Sequence, residues 1–307
     1  MMKSNTSEII TKYYSNCTLC PRNCQINRYS QKGVCGASSE MAVSRAALHF
    51  WEEPCISGES GSGAVFFSGC NLHCIYCQNY SISSHKIGKE ISIERLVEIF
   101  YELKDKGANN INLVTGSHFI PSIREAILIA KNKGFTLPFI FNCGGYESVD
   151  SLEMLDGLID VYLPDFKYIS SDLSNELSHA NNYPEIAKLA ISEMYRQVGT
   201  PVFSSEGLIK KGMIVRHLVL PGYLEESKMV LDYLYKTYSD NIYISIMSQY
   251  TPMPNTKKLP HLKRKLSKHE YSSIISYATN LGIENAYIQE GDVAKESFIP
   301  EFDLSGI

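Results

Sequence analysis

No apolar stretch in this sequence approaches the roughly 20 residues that a helix needs to cross a bilayer. The first ten residues, MMKSNTSEII, also lack the apolar block of a secretory signal peptide. The sequence therefore predicts a cytoplasmic protein that makes no contact with a membrane. Low-complexity tracts are missing as well, and 44% of the 307 residues are apolar, so we expect the chain to fold throughout.

An excess of positive charge is also missing. The chain has 29 lysines and arginines against 33 aspartates and glutamates, a net charge of −4, so no broad positive field attracts nucleic acid and we do not expect it as a partner. One short segment, NTKKLPHLKRKLSK, is basic. Such a run is most often a solvated linker. It could instead dock an acidic flavodoxin- or ferredoxin-like electron donor, or a phosphate backbone. Its basic residues are Lys257, Lys258, Lys263, Arg264, Lys265 and Lys268.

A complete disulfide framework is excluded because the number of cysteines, nine, is odd. Eight of the nine lie in the first 77 residues, and Cys143 stands apart from them. In a reducing compartment, thiols that cluster in this way indicate ligation of a metal or an iron-sulfur cluster.

From Ala64 onward, short β-rich runs alternate with amphipathic runs of helical length. The first predicted helix begins after Ser92 and ends at Gly107. Six strand-helix units with near-continuous apolar strands predict an α/β fold, a partial (β/α)6 parallel barrel. We expect a cysteine-rich extension over residues 1–63, the barrel over 64–285 and a tail over 286–307. The predicted strands are AVFFSGC, NNINLVTG, FTLPFIFNCGG, LIDVYLPDFKY, GMIVRHLVLPG and NIYISIMSQYTP.

Polar residues gather where these strands end, which is where parallel barrels carry their active sites. Side chains alternate along a strand, so only one of Arg216 and His217 is expected to enter the barrel. The positions concerned are Cys70, Thr115 to His118, Asn142 to Tyr146, Asp165, Lys167, Arg216, His217, Gln249 and Tyr250.

Three thiols stand close together at the end of the first strand, in SGCNLHCIYCQNY. Cys70, Cys74 and Cys77 have the spacing C-x3-C-x2-C. A 4Fe-4S cluster normally takes four thiolates, so three ligands leave one iron free to bind a small molecule. The alternatives are a zinc knuckle that borrows a fourth ligand such as His73, or three buried structural cysteines.

This loop, with the aromatic Tyr76 just before its third cysteine, resembles the cluster-binding loop of the radical S-adenosylmethionine superfamily. The resemblance implies that the open iron chelates the amino and carboxylate groups of S-adenosylmethionine. One-electron cleavage would then give methionine and a 5'-deoxyadenosyl radical that abstracts hydrogen from a substrate. Where these barrels usually carry a Gly-Gly-Glu-like segment for the amino group, the chain has NLVTGSHF. Thr115, Gly116 and Ser117 would there offer backbone and hydroxyl acceptors.

Three later segments resemble those of pyruvate formate-lyase activating enzyme: FNCGGYE, which begins with Phe141 and Asn142, YLPDFKY, and IVRHLVLPG. The resemblance implies that Asn142 lies at the cofactor and that Asp165 and Lys167 lie near its carboxylate. Lys167 could form a charge-assisted hydrogen bond there, and Asp165 could bind a cation. A basic residue of the last segment would reach the cofactor, and the planar guanidinium of Arg216 suits a carboxylate.

Together with CTLCPRNC, EEPCISG and MSQYTP, these segments resemble one radical S-adenosylmethionine family, the pyruvate formate-lyase activating enzyme-like proteins. That implies an oxidoreductase that abstracts hydrogen from a protein or peptide, including the glycyl residue of a glycyl radical enzyme. Two alternatives stay open: radical modification of a small molecule or nucleic acid, and a non-catalytic zinc-binding interaction protein.

The N-terminal cysteines form a second group. Cys17, Cys20, Cys24 and Cys35 follow C-x2-C-x3-C-x10-C, a set that suits tetrahedral zinc or a second iron-sulfur cluster, with slight preference for structural zinc. They could also be ordinary reduced thiols. Cys55 is a further candidate ligand. The two acids of EEP, just before it, could supply an acid to the site, form a salt bridge or cap a helix.

Overall fold

The computed structural model of the protein describes residues 2–84, 86–289 and 300–307. Within these residues, ten strands form one sheet. The strands are β1 (Met41–His49), β2 (Ser62–Phe67), β3 (Lys89–Ile91), β4 (Ile111–Val114), β5 (Phe139–Cys143), β6 (Val161–Pro164), β7 (Val202–Phe203), β8 (Ile209–Leu218), β9 (Tyr243–Met247) and β10 (Ala286–Ile288). The helices are α1 (Met2–Ser15), α2 (Pro54–Ser57), α3 (Tyr80–Ser83), α4 (Ile93–Asp105), α5 (Ile120–Asn132), α6 (Val149–Glu153), α7 (Ser171–Ser178), α8 (Tyr183–Val198), α9 (Leu224–Tyr238) and α10 (Lys268–Leu281).

Parallel strands make the wall of a barrel that does not close. Their order across the sheet is β2-β4-β5-β6-β8-β9-β10, and every neighbouring pair in this order is parallel. Antiparallel β1 lies beyond β2, followed by β3. All six predicted strands and their helices α4, α5, α6, α8, α9 and α10 are present. The predicted partial parallel barrel is confirmed.

Two strands outside the predicted barrel limits also join the sheet. β1 comes from the cysteine-rich segment and pairs along β2, with Ala46 opposite Val65. It covers the edge of β2 that would otherwise expose unpaired backbone groups. Residues 304 and 305 bond to β1 in turn: the N–H of Leu304 donates to Ser44, and the carbonyl of Ser305 accepts from Ala46. β10, in the predicted tail, extends the parallel wall beyond β9.

The outer helices form for local reasons and pack by their apolar faces. The Ser92 hydroxyl caps α4 by accepting from the N–H of Arg95, 3.1 Å away. Leu96, Phe100 and Leu103 then lie on one helical face and are buried. Each such burial contributes about 1.5–3 kcal/mol relative to an exposed side chain. Among the described residues, no helix combines the length and apolarity needed to cross a bilayer.

The base of the barrel is closed by the short helix α2. Cys55 and Ile56 from this helix are buried against Ile140, Leu163 and Ile214 of three barrel strands. Because apolar side chains fill this end, the polar cavity of the barrel lies above α2, toward the ends of the strands.

Candidate active site

The three-thiol loop leaves β2 at a glycine that no other residue could replace without strain. Gly69 has φ +96°, and a Cβ on it would lie 2.5 Å from the carbonyl oxygen of Cys35. The next N–H, that of Cys70, donates to the same oxygen across 3.2 Å. The N-terminal cysteine segment is therefore packed directly against the start of the loop.

Cys70, Cys74 and Cys77 all line one cavity of about 560 Å³. Burial raises the pKa of Cys70 to about 12, and the neighbouring thiols Cys74 and Cys77 add to the increase. Thiols in such a setting favour the thiolate form only when a cation is bound to them. The Ser178 hydroxyl donates to the sulfur of Cys74, 3.0 Å away.

His73, the candidate fourth ligand of a zinc knuckle, is engaged elsewhere. Its backbone has a left-handed φ of 54°, and its Nε2 is 2.6 Å from the carbonyl oxygen of Val34. It is not among the residues that line the cavity. The side chain therefore ties the loop to the N-terminal segment instead of completing a ligand set with the three thiols.

Tyr76 is held by aromatic neighbours under the loop. Its hydroxyl accepts from the hydroxyl of Tyr168 at 2.6 Å, and its ring contacts that of Tyr250 at a centroid distance of 6.3 Å. Tyr168 also bonds to Ser178, whose hydroxyl reaches Cys74. One hydrogen-bonded chain thus links Tyr76 to a cluster-loop thiol.

At the end of β4, only two of the three residues that were predicted to replace a Gly-Gly-Glu segment line the cavity. Thr115 and Ser117 line the cavity, and Thr115 has an unusual φ of 59°, a conformation that costs energy and clusters at functional sites. Gly116 does not line the cavity. A Cβ at Gly116 would lie 2.5 Å from Ile123, so this glycine serves close packing.

An acid missed at the sequence level lies behind Ser117. Glu147 is 2% exposed and its Oε1 accepts from the Ser117 hydroxyl at 2.7 Å, while its Oε2 has no hydrogen-bond partner among the described residues. Burial raises the pKa of Glu147. The residue follows β5, so it reaches β4 from the neighbouring strand. The one sequence signal for Glu147 was its place at the end of FNCGGYE, the segment at the end of β5.

Asp165, Lys167, Asn142 and Arg216 also line the cavity and form one polar network. Lys167 Nζ is 2.5 Å from Asp165 Oδ2, and Arg216 Nε is 3.6 Å from Asp165 Oδ1. Arg216 also donates to the Asn142 side chain. Burial alone would lower the pKa of Lys167, but the Asp165 carboxylate and further neighbours raise it well above its usual value, so the amine stays charged.

The floor of the cavity holds two adjacent acids. Glu52 Oε2 accepts from Arg216 at 2.9 Å, and its Oε1 accepts from Asn112 at 2.8 Å. Glu53 is 3.9 Å from Arg216, and its Oε2 has no hydrogen-bond partner among the described side chains. Burial raises the pKa of Glu53, an effect that the charge of Arg216 only partly opposes. Ser245, from β9, faces the same acid.

His217 points away from this network, in agreement with strand alternation. Its Nδ1 is 2.8 Å from the carbonyl oxygen of Phe166, and its Nε2 is 2.9 Å from the hydroxyl of Ser227 on α9. Burial lowers the pKa of His217 to about 4, so the imidazole is neutral. Of the two adjacent basic residues, Arg216 alone enters the barrel.

The N-terminal cysteines lie beside the cluster loop and outside the cavity. Cys17, Cys20 and Cys35 are buried, and Cys24 is partly exposed. Among the described residues, no three His, Cys, Asp or Glu side chains are already gathered as metal ligands. This holds for these thiols and for Cys70, Cys74 and Cys77 alike. Cys55 is buried in the barrel base, so it lies away from both groups.

A parallel partial barrel with three thiols at the mouth of its cavity defines a class of protein that binds an iron-sulfur cluster with an incompletely ligated iron. The comparison with family models names that class. Residues 64–234 match the model of the radical SAM superfamily, which is more than half of the chain. The chain belongs to the radical SAM superfamily, and its cofactors are a 4Fe-4S cluster and S-adenosylmethionine.

The individual proteins that this chain resembles share less than 30% of their residues with it. The uncharacterized protein MJ0674 of Methanocaldococcus jannaschii is 28% identical over 91% of this chain and 79% of its own length. Among solved structures, Streptococcus suis SuiB bound to S-adenosylmethionine is 12% identical, with a TM-score of 0.49 over 77% of this chain and 51% of that one. The FeFe-hydrogenase maturase HydG from Carboxydothermus hydrogenoformans is 16% identical, with a TM-score of 0.49 over 72% and 52%. The chain spans about half the length of these two solved proteins.

Proposed function

We propose that this radical SAM enzyme abstracts hydrogen from a protein or peptide, as an activating enzyme for a glycyl radical partner does. The observation that carries the proposal is the set of residues that line the cavity of the three cluster thiols. Its floor is the polar network around Arg216, and its rim bears two exposed aromatic side chains, Phe50 and Trp51.

The residues of the cavity fit the cofactors. Cys70, Cys74 and Cys77 would hold three irons, which leaves room in the cavity for a ligand at the fourth. When bound, the cluster and S-adenosylmethionine supply one-electron cleavage of the sulfonium and a primary carbon radical. Lys167, kept charged by Asp165, would bind the carboxylate of the cofactor.

Other side chains would complete the cofactor site. Thr115 and Ser117 would accept from the amino group, with Ser117 oriented by Glu147. Asn142 would face the cofactor while it is held by Arg216, and the buried ring of Tyr76 would exclude water beneath the loop. In our proposal Arg216 belongs to the cavity floor as much as to the cofactor, because it forms an ion pair with Glu52 at 2.9 Å.

The rim supports a macromolecular substrate. Phe50 is 50% exposed and Trp51 is 57% exposed, and both line the cavity. Large aromatic side chains left in solvent beside a cavity are typical of surfaces that bind proteins. The floor offers both donors and acceptors, Arg216 and Glu53 among them, which suits the N–H and C=O groups of a peptide backbone.

The basic segment 257–268 would dock the electron donor. The side chain of Gln78, next to the last cluster cysteine, donates to the carbonyl oxygen of Gln249. That contact brings the cluster loop to the strand end that leads into the basic segment. Lys257, Lys258 and Lys263 are exposed there, so an acidic flavodoxin- or ferredoxin-like protein would approach close to the loop. We place this chemistry in the cytoplasm, where such donors and reduced thiols occur.

The test follows deuterium from the substrate. The reconstituted holoenzyme is reduced anaerobically and mixed with the dialysed protein fraction of host cells grown on deuterated glycine. We expect release of 5'-deoxyadenosine that carries deuterium. A low-molecular-weight filtrate from the same cells should transfer none. Deuterium or product formation that depends on the filtrate alone would contradict a polypeptide substrate.

A pair of variants separates binding from chemistry. Phe50→Ser with Trp51→Ser should reduce transfer from protein about tenfold or more. The slow cleavage of S-adenosylmethionine without substrate should stay unchanged, because neither residue touches the thiols. Cys70→Ala should abolish both activities.

A further inference from the structure

The four N-terminal cysteines are brought into one compact turn structure. The N–H of Cys17 donates to Ile26, and the carbonyl of Cys17 accepts from Gln25, each at 2.9 Å. Between them, the carbonyl of Cys20 accepts from Asn23 at 2.9 Å. Asn23 and Gln25 have φ values of 43° and 53°, so this turn holds two non-glycine residues in the left-handed region. The backbone reverses tightly around the first three thiols.

The fourth thiol is folded back onto the turn. A Cβ at Gly33 would lie 3.4 Å from the sulfur of Cys35 and 3.7 Å from the sulfur of Cys24. Both sulfurs therefore border the same space beside Gly33, which no side chain fills. The tight backbone turn that carries Cys24 also carries Cys17 and Cys20. All four sulfurs share one small region of the fold.

A buried cation, Arg28, lies beside this region and has no anionic partner in the part of the chain that the structure describes. Arg28 is 1% exposed, and its guanidinium donates to the carbonyl oxygens of Ser38, at 3.0 Å, and His118, at 2.5 Å. Its face covers the ring of Tyr14 at 4.3 Å. Within the described residues it forms no ion pair with an aspartate or glutamate. An unpaired buried charge is costly, so a compensating negative charge is expected close by.

The thiols can supply that charge, because Cys35 lies three residues before Ser38, whose carbonyl oxygen accepts from Arg28. Four thiolates around one divalent ion carry a net charge of −2, which more than offsets the single positive charge of the guanidinium. Neutral thiols would leave Arg28 with its carbonyl hydrogen bonds and the rings of Tyr14 and Phe119, but with no anion among the described residues. The cluster thiols line an open cavity, whereas Cys17, Cys20 and Cys35 are 7–9% exposed in packed protein, a setting that suits a closed structural site.

We propose that Cys17, Cys20, Cys24 and Cys35 bind one zinc ion as four thiolates, with Arg28 as its buried counter-charge. The sulfurs must rotate about their side-chain torsions to reach ligating positions, as they must at the cluster loop. The site is independent of the proposed substrate.

The zinc site would support the cluster loop. The carbonyl of Cys35 accepts from the N–H of Cys70, and the carbonyl of Val34 lies 2.6 Å from His73 Nε2. Arg22, within the cysteine turn, donates from Nε to the carbonyl of Asn71 at 2.8 Å. Three backbone carbonyls thus join the two cysteine segments. Loss of zinc should therefore lower the amount of iron that the loop retains.

Metal analysis of the full chain tests the proposal. Protein purified anaerobically and reconstituted with iron and sulfide should contain about one zinc and about four irons per chain. Cys17→Ser with Cys20→Ser should remove the zinc, while Cys55→Ser, a buried thiol outside the group, should retain it. About eight irons without zinc would overturn the proposal in favour of a second cluster. Four irons with neither zinc nor extra iron would overturn metal binding altogether.

Three further variants keep the test separate from folding and from radical chemistry. Cys70→Ala with Cys74→Ala and Cys77→Ala should lose iron but keep zinc, so failure of the proposed activity would leave the zinc result readable. Arg28→Met should weaken zinc in competition with a chromophoric chelator about tenfold or more, whereas Arg28→Lys should weaken it less. Equal affinities for the wild type and Arg28→Met would show that the cation is not the counter-charge.

Discussion

The carbonyl oxygen of Cys35 occupies the space in which a side chain at Gly69 would begin. A Cβ there would lie 2.5 Å from this oxygen, and the same oxygen accepts a hydrogen bond from Cys70. The N-terminal segment and the cluster loop therefore pack tightly against each other at Cys70, the first of the three predicted cluster ligands. The close approach is possible only with glycine, so Gly69 is the point at which the two cysteine groups are coupled.

Gly69→Ala should lower the free energy of unfolding by about 3 kcal/mol or more, because a left-handed backbone and a clash with backbone act together. Iron retained after reconstitution should fall as well. The matched control is Gly107→Ala, with φ +90° and no atom within 4 Å of the added Cβ, which should cost about 1–2 kcal/mol from backbone strain alone. Denaturant unfolding of the metal-free chains measures both. Equal losses at the two glycines would refute the importance of the close approach.

Alanine at Cys70, Cys74 or Cys77 should each reduce bound iron to background and abolish reductive cleavage of S-adenosylmethionine, because two thiolates cannot hold a cubane cluster firmly. Cys143→Ala is the control, since Cys143 is buried and lines the same cavity from β5. It should retain the iron and its absorption. Iron and colour that survive in Cys74→Ala would contradict the assignment of the three ligands.

The sequence could predict those parts of the site that depend on local pattern. The thiol spacing, the strand ends and the inward turn of Arg216 follow from short segments, since alternation along β8 decides which side chain enters the barrel. The pairing of Ser117 with Glu147 could not be foreseen, because it joins the ends of two different strands. Nor does any spacing in EEPC reveal that α2 closes the barrel base and presents Glu52 to Arg216. Such contacts depend on the packed barrel and not on the segment itself.

The pair of Arg216 and Glu52 should show strong coupling. Arg216→Met leaves the Glu52 carboxylate without its ion-pair partner in a largely buried site and should cost about 3–5 kcal/mol. In the double variant with Glu52→Gln that charge is gone, so the loss should be smaller than the sum of the two single losses by at least about 1 kcal/mol. Urea unfolding of the metal-free wild type, the two single variants and the double variant measures this double-mutant cycle. Additive losses would mean that the 2.9 Å contact contributes little.

Glu53 should make the fold less stable as the pH rises. Its folded pKa is raised by burial, so the folded state holds its proton more tightly than the unfolded chain, and this advantage is lost as pH rises from the unfolded value through the folded one. Glu53→Gln should therefore raise the melting temperature of the metal-free protein at pH 8. The gain should shrink toward pH 4.5. Glu98→Gln, on the exposed face of α4, provides a control that should change little. A gain at pH 4.5 as large as that at pH 8 would contradict the shift.

His217 should make the fold less stable as the pH falls, which is the opposite pH dependence. Its folded pKa is lowered to about 4 by burial, whereas the unfolded side chain titrates near 6.5, so the unfolded state binds the proton first as pH falls. The resulting loss of stability is absent above about pH 7.5 and reaches about 2 kcal/mol at pH 5. His217→Gln, which cannot titrate, should lose less stability between those two pH values than the wild type, although it starts lower because the bonds to Phe166 and Ser227 are altered. His269→Gln, in the exposed first turn of α10, should follow the wild-type curve. Denaturant unfolding at each pH measures these differences, and parallel curves for wild type and His217→Gln would show that this imidazole is not held neutral by its burial.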